Sequence, residues 1–150
     1  MDGTIAPLKG RYGVMACALN LVDGALLWRF SALYSGTAAN LAEPPTAPTL
    51  MPAAVYGGVD SLVFGDLSGR LWVLGAQSGA PLGGGPAWQA PGGTAEPIGG
   101  GIAIRNRLAL FGTGGVEHAD SQSSYAIYAV ESLPEGTRLL WSQSLPPGEK

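Results

Sequence analysis

Apolar residues in this chain come in short runs, and polar turns carrying glycine or asparagine separate many of them. Leu62-Val63-Phe64 is followed by Asp66-Leu67-Ser68-Gly69 and then by Leu71-Trp72-Val73-Leu74. Ile102-Ala103-Ile104 and Leu108-Ala109-Leu110-Phe111 flank Arg105-Asn106-Arg107 in the same way. Short apolar runs bounded by turn residues predict β-strands joined by hairpins. Asp23-Gly24 and Ser78-Gly79 mark two further turns, since tight hairpins need a residue that accepts φ > 0. No window of ten or more residues shows a clear helical stripe free of Gly and Pro. Residues 31–42 come nearest, and Gly36 interrupts them.

Three segments repeat one pattern: Ala18 to Trp28, Val73 to Leu82, and Ala129 to Trp141. Each is an apolar strand end, a polar turn with Gly, and a second apolar strand. Leu19 precedes Leu74 by 55 positions, and Leu74 precedes Val130 by 56. With the other hairpins, each interval holds about four short strands, which is the pattern of a propeller blade. The predicted fold is all-β: one domain, a partial β-propeller of about three four-stranded antiparallel blades, in units near 1–47, 48–97 and 98–150. Trp28 and Trp141, which follow their turns, are expected to pack between neighbouring blades. The second unit has Gly83 at that position, after Leu82, so Trp88 is expected to take over the packing, while Trp72 lies on an inner strand. The connections 33–48 and 83–97, rich in Gly, Pro and Ala, would be the face loops where binding sits. Propellers close with ~4–8 blades, so three would leave apolar flanks and open sheet edges. Either the chain is part of a larger protein, which is the expectation, or copies assemble to close the ring.

Composition agrees with a packed core and narrows the partners. Of 150 residues, 46% are hydrophobic and 13% charged, the latter about half the usual share of roughly 25%. The net charge is −3 with no basic cluster, which sets nucleic-acid binding aside. No apolar run approaches the ~20 residues of a membrane helix, and the N-terminal residues do not form a signal peptide. Cys17 is the one cysteine, so there is no internal disulfide and no Cys-based zinc site. Alternating with apolar neighbours on a strand, it reads as a small buried residue.

The stretch Ala18 to Phe30 resembles the quinoprotein-like propeller repeat, in which an Ala-Leu-Asp strand is followed by a Gly turn and Leu-Trp; Asn20 stands here for the Asp. Val63-Phe64-Gly65-Asp66-Leu67-Ser68-Gly69-Arg70-Leu71-Trp72 is similar to the Gly-Asp-Leu-x-Gly-x-Leu-Trp segment of the PilC/PilY type IV pilus biogenesis and tip-adhesin family. Phe111-Gly112-Thr113-Gly114, with Asp120, Gln122-Ser123 and Tyr125-Ala126-Ile127, resembles that family's Phe-Gly-Thr-Gly … Asp … Gln-Ser-x-Tyr-x-Ile segment. The segments follow in the family's order and span most of residues 13–142. The resemblance implies an extracytoplasmic protein of the periplasm, outer surface or pilus tip, whose C-terminal propeller includes this chain. Its partners would be the remaining blades of the parent chain and pilus subunits or a surface receptor. Some members carry a calcium loop before the Gly-Asp-Leu segment. Here Met51 to Asp60 holds one carboxylate, against the 6–8 oxygens calcium takes, so no calcium site is predicted there.

Catalytic chemistry finds little footing. His118 is the only histidine and shares the Gly114–Gln122 loop with Glu117 and Asp120, but no second His or Cys completes a zinc set. No Gly-x-Ser-x-Gly elbow places a serine nucleophile. The Gly-rich stretches 83–85, 92–93, 99–101 and 112–115 contain neither a phosphate loop nor a dinucleotide fingerprint, and read as turn geometry. Asp66 is expected to cap its turn through backbone N–H groups, and Asp120 to tie its loop together. The chain is thus read as a non-catalytic interaction module, with no catalytic, cofactor or metal residues. The residues singled out are turn and blade anchors: Asp23, Gly24, Trp28, Asp66, Gly69, Trp72, Gly112, Gly114, Asp120 and Trp141. The alternatives are a generic quinoprotein-like scaffold of the outer-membrane assembly type, and a fragment of a quinone-dependent dehydrogenase. The last requires its parent to bind quinone tightly and depend on calcium.

Overall fold

The computed structural model describes residues 13–33, 46–53, 58–66, 69–89, 98–114, 125–133 and 136–145. Among them there is no helix, and ten strands form three antiparallel sheets, none closed into a barrel. The first sheet is the hairpin β1 (Gly13–Leu19) and β2 (Leu26–Leu33). The second is a meander of β3 (Thr49–Met51), β4 (Ser61–Gly65), β5 (Arg70–Gly75) and β6 (Trp88–Gln89). The third is a meander of β7 (Ile98–Arg105), β8 (Leu108–Thr113), β9 (Tyr125–Leu133) and β10 (Gly136–Leu145). Four strands per sheet hold for the second and third; the first has two among the described residues. The candidate helical stretch 31–42 begins inside β2, and its remainder lies outside the described residues, as do most of the two long connections.

The three sheets stack in chain order, and the alternation of side chains along the strands explains how. In β4 and β5, Val63, Leu71 and Val73 face the third sheet and join Met51, Ile98, Ile102, Ala109, Phe111 and Val130 in one buried cluster. Their neighbours Phe64, Trp72 and Leu74 point the other way and pack against Ala16, Trp28 and Phe30 of the first sheet. A sheet covered on both faces needs apolar residues at consecutive positions, and β5 is buried from Leu71 to Gly75. The run Leu71-Trp72-Val73-Leu74 is therefore the sequence mark of the middle layer.

β1 shows the opposite case. Only one of its faces is covered, so Ala16 is buried while Cys17, paired with Arg29, is exposed. This corrects the reading of Cys17 as a buried residue: strand alternation puts it on the open face of the outermost layer.

Backbone geometry matches the turns. Gly24, Gly69 and Gly79 take φ of 71°, 68° and 67°, and Asn106 alone among the described non-glycine residues has positive φ, at 55°. Asn tolerates this region better than most residues, which suits the tight β7–β8 hairpin.

Candidate functional site

The densest polar cluster of the described residues lies where β4 turns into β5. Asp66, at the end of β4, has no exposed side-chain surface, and Arg70 keeps 15%. One carboxylate oxygen, Oδ1, accepts the Arg70 backbone N–H at 3.0 Å. The other accepts from Arg70 Nε at 2.6 Å and from Trp72 Nε1 at 2.8 Å. The backbones add two bonds, Asp66 N–H to Arg70 O at 2.9 Å and Gly69 N–H to Asp66 O at 3.2 Å. Arg70 also stands over the Trp72 ring, 5.2 Å from its centroid, where a cation is attracted to the ring face. Burial of a carboxylate demands such partners, because an unpaired charge in the interior is expensive.

This arrangement fixes structure. Asp66 caps its turn, as its position after Gly65 predicts, and additionally orients the Trp72 indole that packs on the first sheet. Its carbonyl accepts the Ile98 N–H of the third sheet at 3.0 Å. One residue thus ties the turn to both neighbouring sheets. Gly65 is the close approach that permits this: a Cβ there would overlap the Ile98 side chain. Thr46 Oγ1 accepts the Gly65 N–H at 2.7 Å. Sequence reasoning singled out Asp66, Gly69 and Trp72 but missed Arg70. The available signal was an acid and a base four residues apart across a turn.

The remaining anchors are scattered. Asp23 Oδ1 accepts the Ala25 N–H at 2.9 Å, and Gly24 completes the β1–β2 turn. Trp28 reaches the second sheet, where Nε1 donates to Ala76 O at 2.9 Å and the ring lies against Gly79. Gly112 pairs with Gly99 and Ile127 inside the third sheet, and Gly114 follows it with φ of 92°. Trp141, expected to pack between neighbouring sheets, is instead 50% exposed, because no sheet lies beyond the third among the described residues. Trp88 packs on Phe111 and Tyr128, with ring centroids 5.1 and 4.9 Å away, in the seam where the second unit lacks a tryptophan after its turn. Asp120, Glu117 and His118 lie outside the described residues. Asp60, the one carboxylate of the 51–60 stretch, accepts the Ala53 N–H at 2.7 Å.

Among the described residues, no three His, Cys, Asp or Glu gather as a metal site, and no helix is long and apolar enough to cross a membrane. A small apolar cavity of about 10 Å³ lies between the second and third sheets, bordered by Met51, Leu71, Val73 and Val130. That space is about the size of one water and its lining surface is apolar, so it is a packing gap. No protein-family model, curated protein or solved structure matches the chain.

Proposed function

We propose that this chain is a non-catalytic interaction module, a segment of a β-propeller scaffold from a type IV pilus-associated biogenesis or adhesin protein. One observation supports it above others. The residues that carry the resemblance to the PilC/PilY family also work as a physical unit: the Asp66 carboxylate holds the Trp72 indole and the Asp66 carbonyl accepts the Gly69 N–H. The Gly-Asp-Leu-x-Gly-x-Leu-Trp spacing therefore has a mechanical reason: the Asp must be six residues before the Trp to cap the turn and hold the indole. Stacked antiparallel meander sheets are also what adjacent propeller blades require. In this reading the sheets hold face loops that bind a pilus subunit or a surface receptor, at an extracytoplasmic location.

An antibody to this chain tests the proposal. Pili sheared from the cells that make the protein should carry the antigen together with pilin. Recovery of the antigen from the cytosol alone, with none on sheared pili or in the envelope, would sink the pilus reading. The intact mass of the antigen from the same blot reports whether further sheets belong to the same polypeptide.

A further inference from the structure

The contact that joins the first two sheets has both of its halves repeated, unused, at the two ends of the stack. Trp28 sits on β2 opposite Ala18, just past an irregularity in the β1–β2 pairing. Trp141 sits on β10 opposite Ala129, past an irregularity at the corresponding place. Val130 and Tyr128 of β9 face the second sheet, so alternation turns Ala129 and its partner Trp141 away from it; Ala129 is itself buried, while Trp141 stands half exposed on that side. Among the described residues, Trp141 is thus a Trp28 without a receiver.

The receiver is repeated too. The turn that seats Trp28 has Gly75 N–H bonded to Ala80 O at 2.9 Å and Gly79 N–H bonded to Gly75 O at 2.8 Å. The β1–β2 turn repeats these bonds: Asn20 N–H to Ala25 O at 2.8 Å and Gly24 N–H to Asn20 O at 2.8 Å. Gly24 and Gly79 differ by only a few degrees in φ, at 71° and 67°. Asp23 Oδ1 and Ser78 Oγ cap their turns alike. Yet a Cβ on Gly79 would fall inside the Trp28 ring, whereas around Gly24 there is nothing within 4 Å. Leu21, in the place of the Ala76 that accepts the Trp28 indole, is fully exposed. The open face of the third sheet thus carries a donor, and the open face of the first carries a turn of the kind that receives one.

We infer that this chain associates head-to-tail with a second copy of itself, the Trp141 indole of one copy seating on the Gly24 turn of the next and donating to the Leu21 carbonyl. Leu140 and Leu145 on β10, and Leu19 and Leu27 on the first sheet, are exposed apolar residues beside the two halves of the contact. An unlike pair of surfaces makes a heterologous interface, which propagates to rings or open chains. The inference does not rest on the pilus reading. It concerns the other route to covering the ends of the stack, copies in place of further repeats.

Sedimentation of the 150-residue chain from micromolar to near-millimolar concentration tests it. The weight-average mass should rise from 15.3 kDa with concentration. Trp141→Ala removes the donor, and Gly24→Asn keeps a residue that tolerates positive φ while filling the seat. Each should weaken association by roughly 30-fold or more, as loss of a buried interface tryptophan does. An equimolar mixture of the two variants keeps one intact donor and one intact receiver, so it should recover association and stop at two chains. A chain that stays monomeric throughout overturns the inference, and so does association that both variants leave unchanged. A mixture that fails to pair, or that grows beyond two chains, also overturns it. Co-isolation with pilin moves none of these outcomes.

Discussion

The two seams of the stack are built differently. Between the first and second sheets the contact is aromatic and concentrated. Phe30 meets Trp72 at 4.9 Å and Phe64 at 6.1 Å between centroids, and Trp28 adds a hydrogen bond to a backbone carbonyl. Between the second and third sheets the contact is spread over nine buried residues, mostly aliphatic, with Trp88, Phe111 and Tyr128 at one end and the Thr137 hydroxyl donating to Ala87 O. The first arrangement suits a sheet with two strands among the described residues, which has few residues to offer and needs each to bury a large area. A hairpin alone is marginal in water, so its order depends on that contact. The second arrangement distributes the energy, so that no single side chain decides it.

The largest effect should come from the residue both seams share. Asp66→Ala leaves the largely buried Arg70 without its carboxylate and frees the Trp72 indole, and breaking a buried pair by removing one partner costs about 3–5 kcal/mol. A urea melt checks it, and a loss under about 1 kcal/mol would mean that Arg70 finds water without difficulty. Next comes the contrast between the seams. Trp28→Ala should cost about 3 kcal/mol and strip hydrogen-exchange protection from β1 and β2 while β4 and β5 keep theirs. Trp88→Ala should cost roughly 1–2 kcal/mol and leave protection even, since the aliphatic cluster remains. Equal, uniform losses in both variants would erase the distinction between a concentrated and a distributed seam.

Much of this fold was legible in the sequence, for a physical reason. Turns announce themselves because φ > 0 selects Gly or Asn, and Gly24, Gly69, Gly79 and Asn106 all adopt it. The two-sided burial of the middle sheet is written as an unbroken apolar run at 71–74. The state of the outer faces was not legible. Cys17 and Trp141 follow the same local patterns as buried residues elsewhere in the chain, and exposure depends on whether another layer lies beyond. At the polar cluster, the Asp66 cap followed from its position in the turn. Its bond to Trp72 did not, because it requires the strand to bring residues six apart onto one side of the turn.

Two smaller effects sharpen what the first seam consists of. Gly79→Ala must both hold positive φ and displace the Trp28 ring, for a cost of about 2–3 kcal/mol; Gly24→Ala meets open space and should cost about 1 kcal/mol, the backbone penalty alone. The difference between these two melts measures how tightly the indole is seated. Trp28→Phe then divides the contact further. It keeps most of the apolar area but removes the N–H that bonds Ala76 O, a loss worth about 1 kcal/mol. Ala76 is only partly buried, so water can replace the indole at its carbonyl and hold the cost near that value. If Trp28→Phe instead matches Trp28→Ala, the seam depends on the hydrogen bond and the shape of the indole over Gly79, and ring area adds little. If it matches the wild type, area alone holds the hairpin, and the geometry of the turn serves only to let the ring come close.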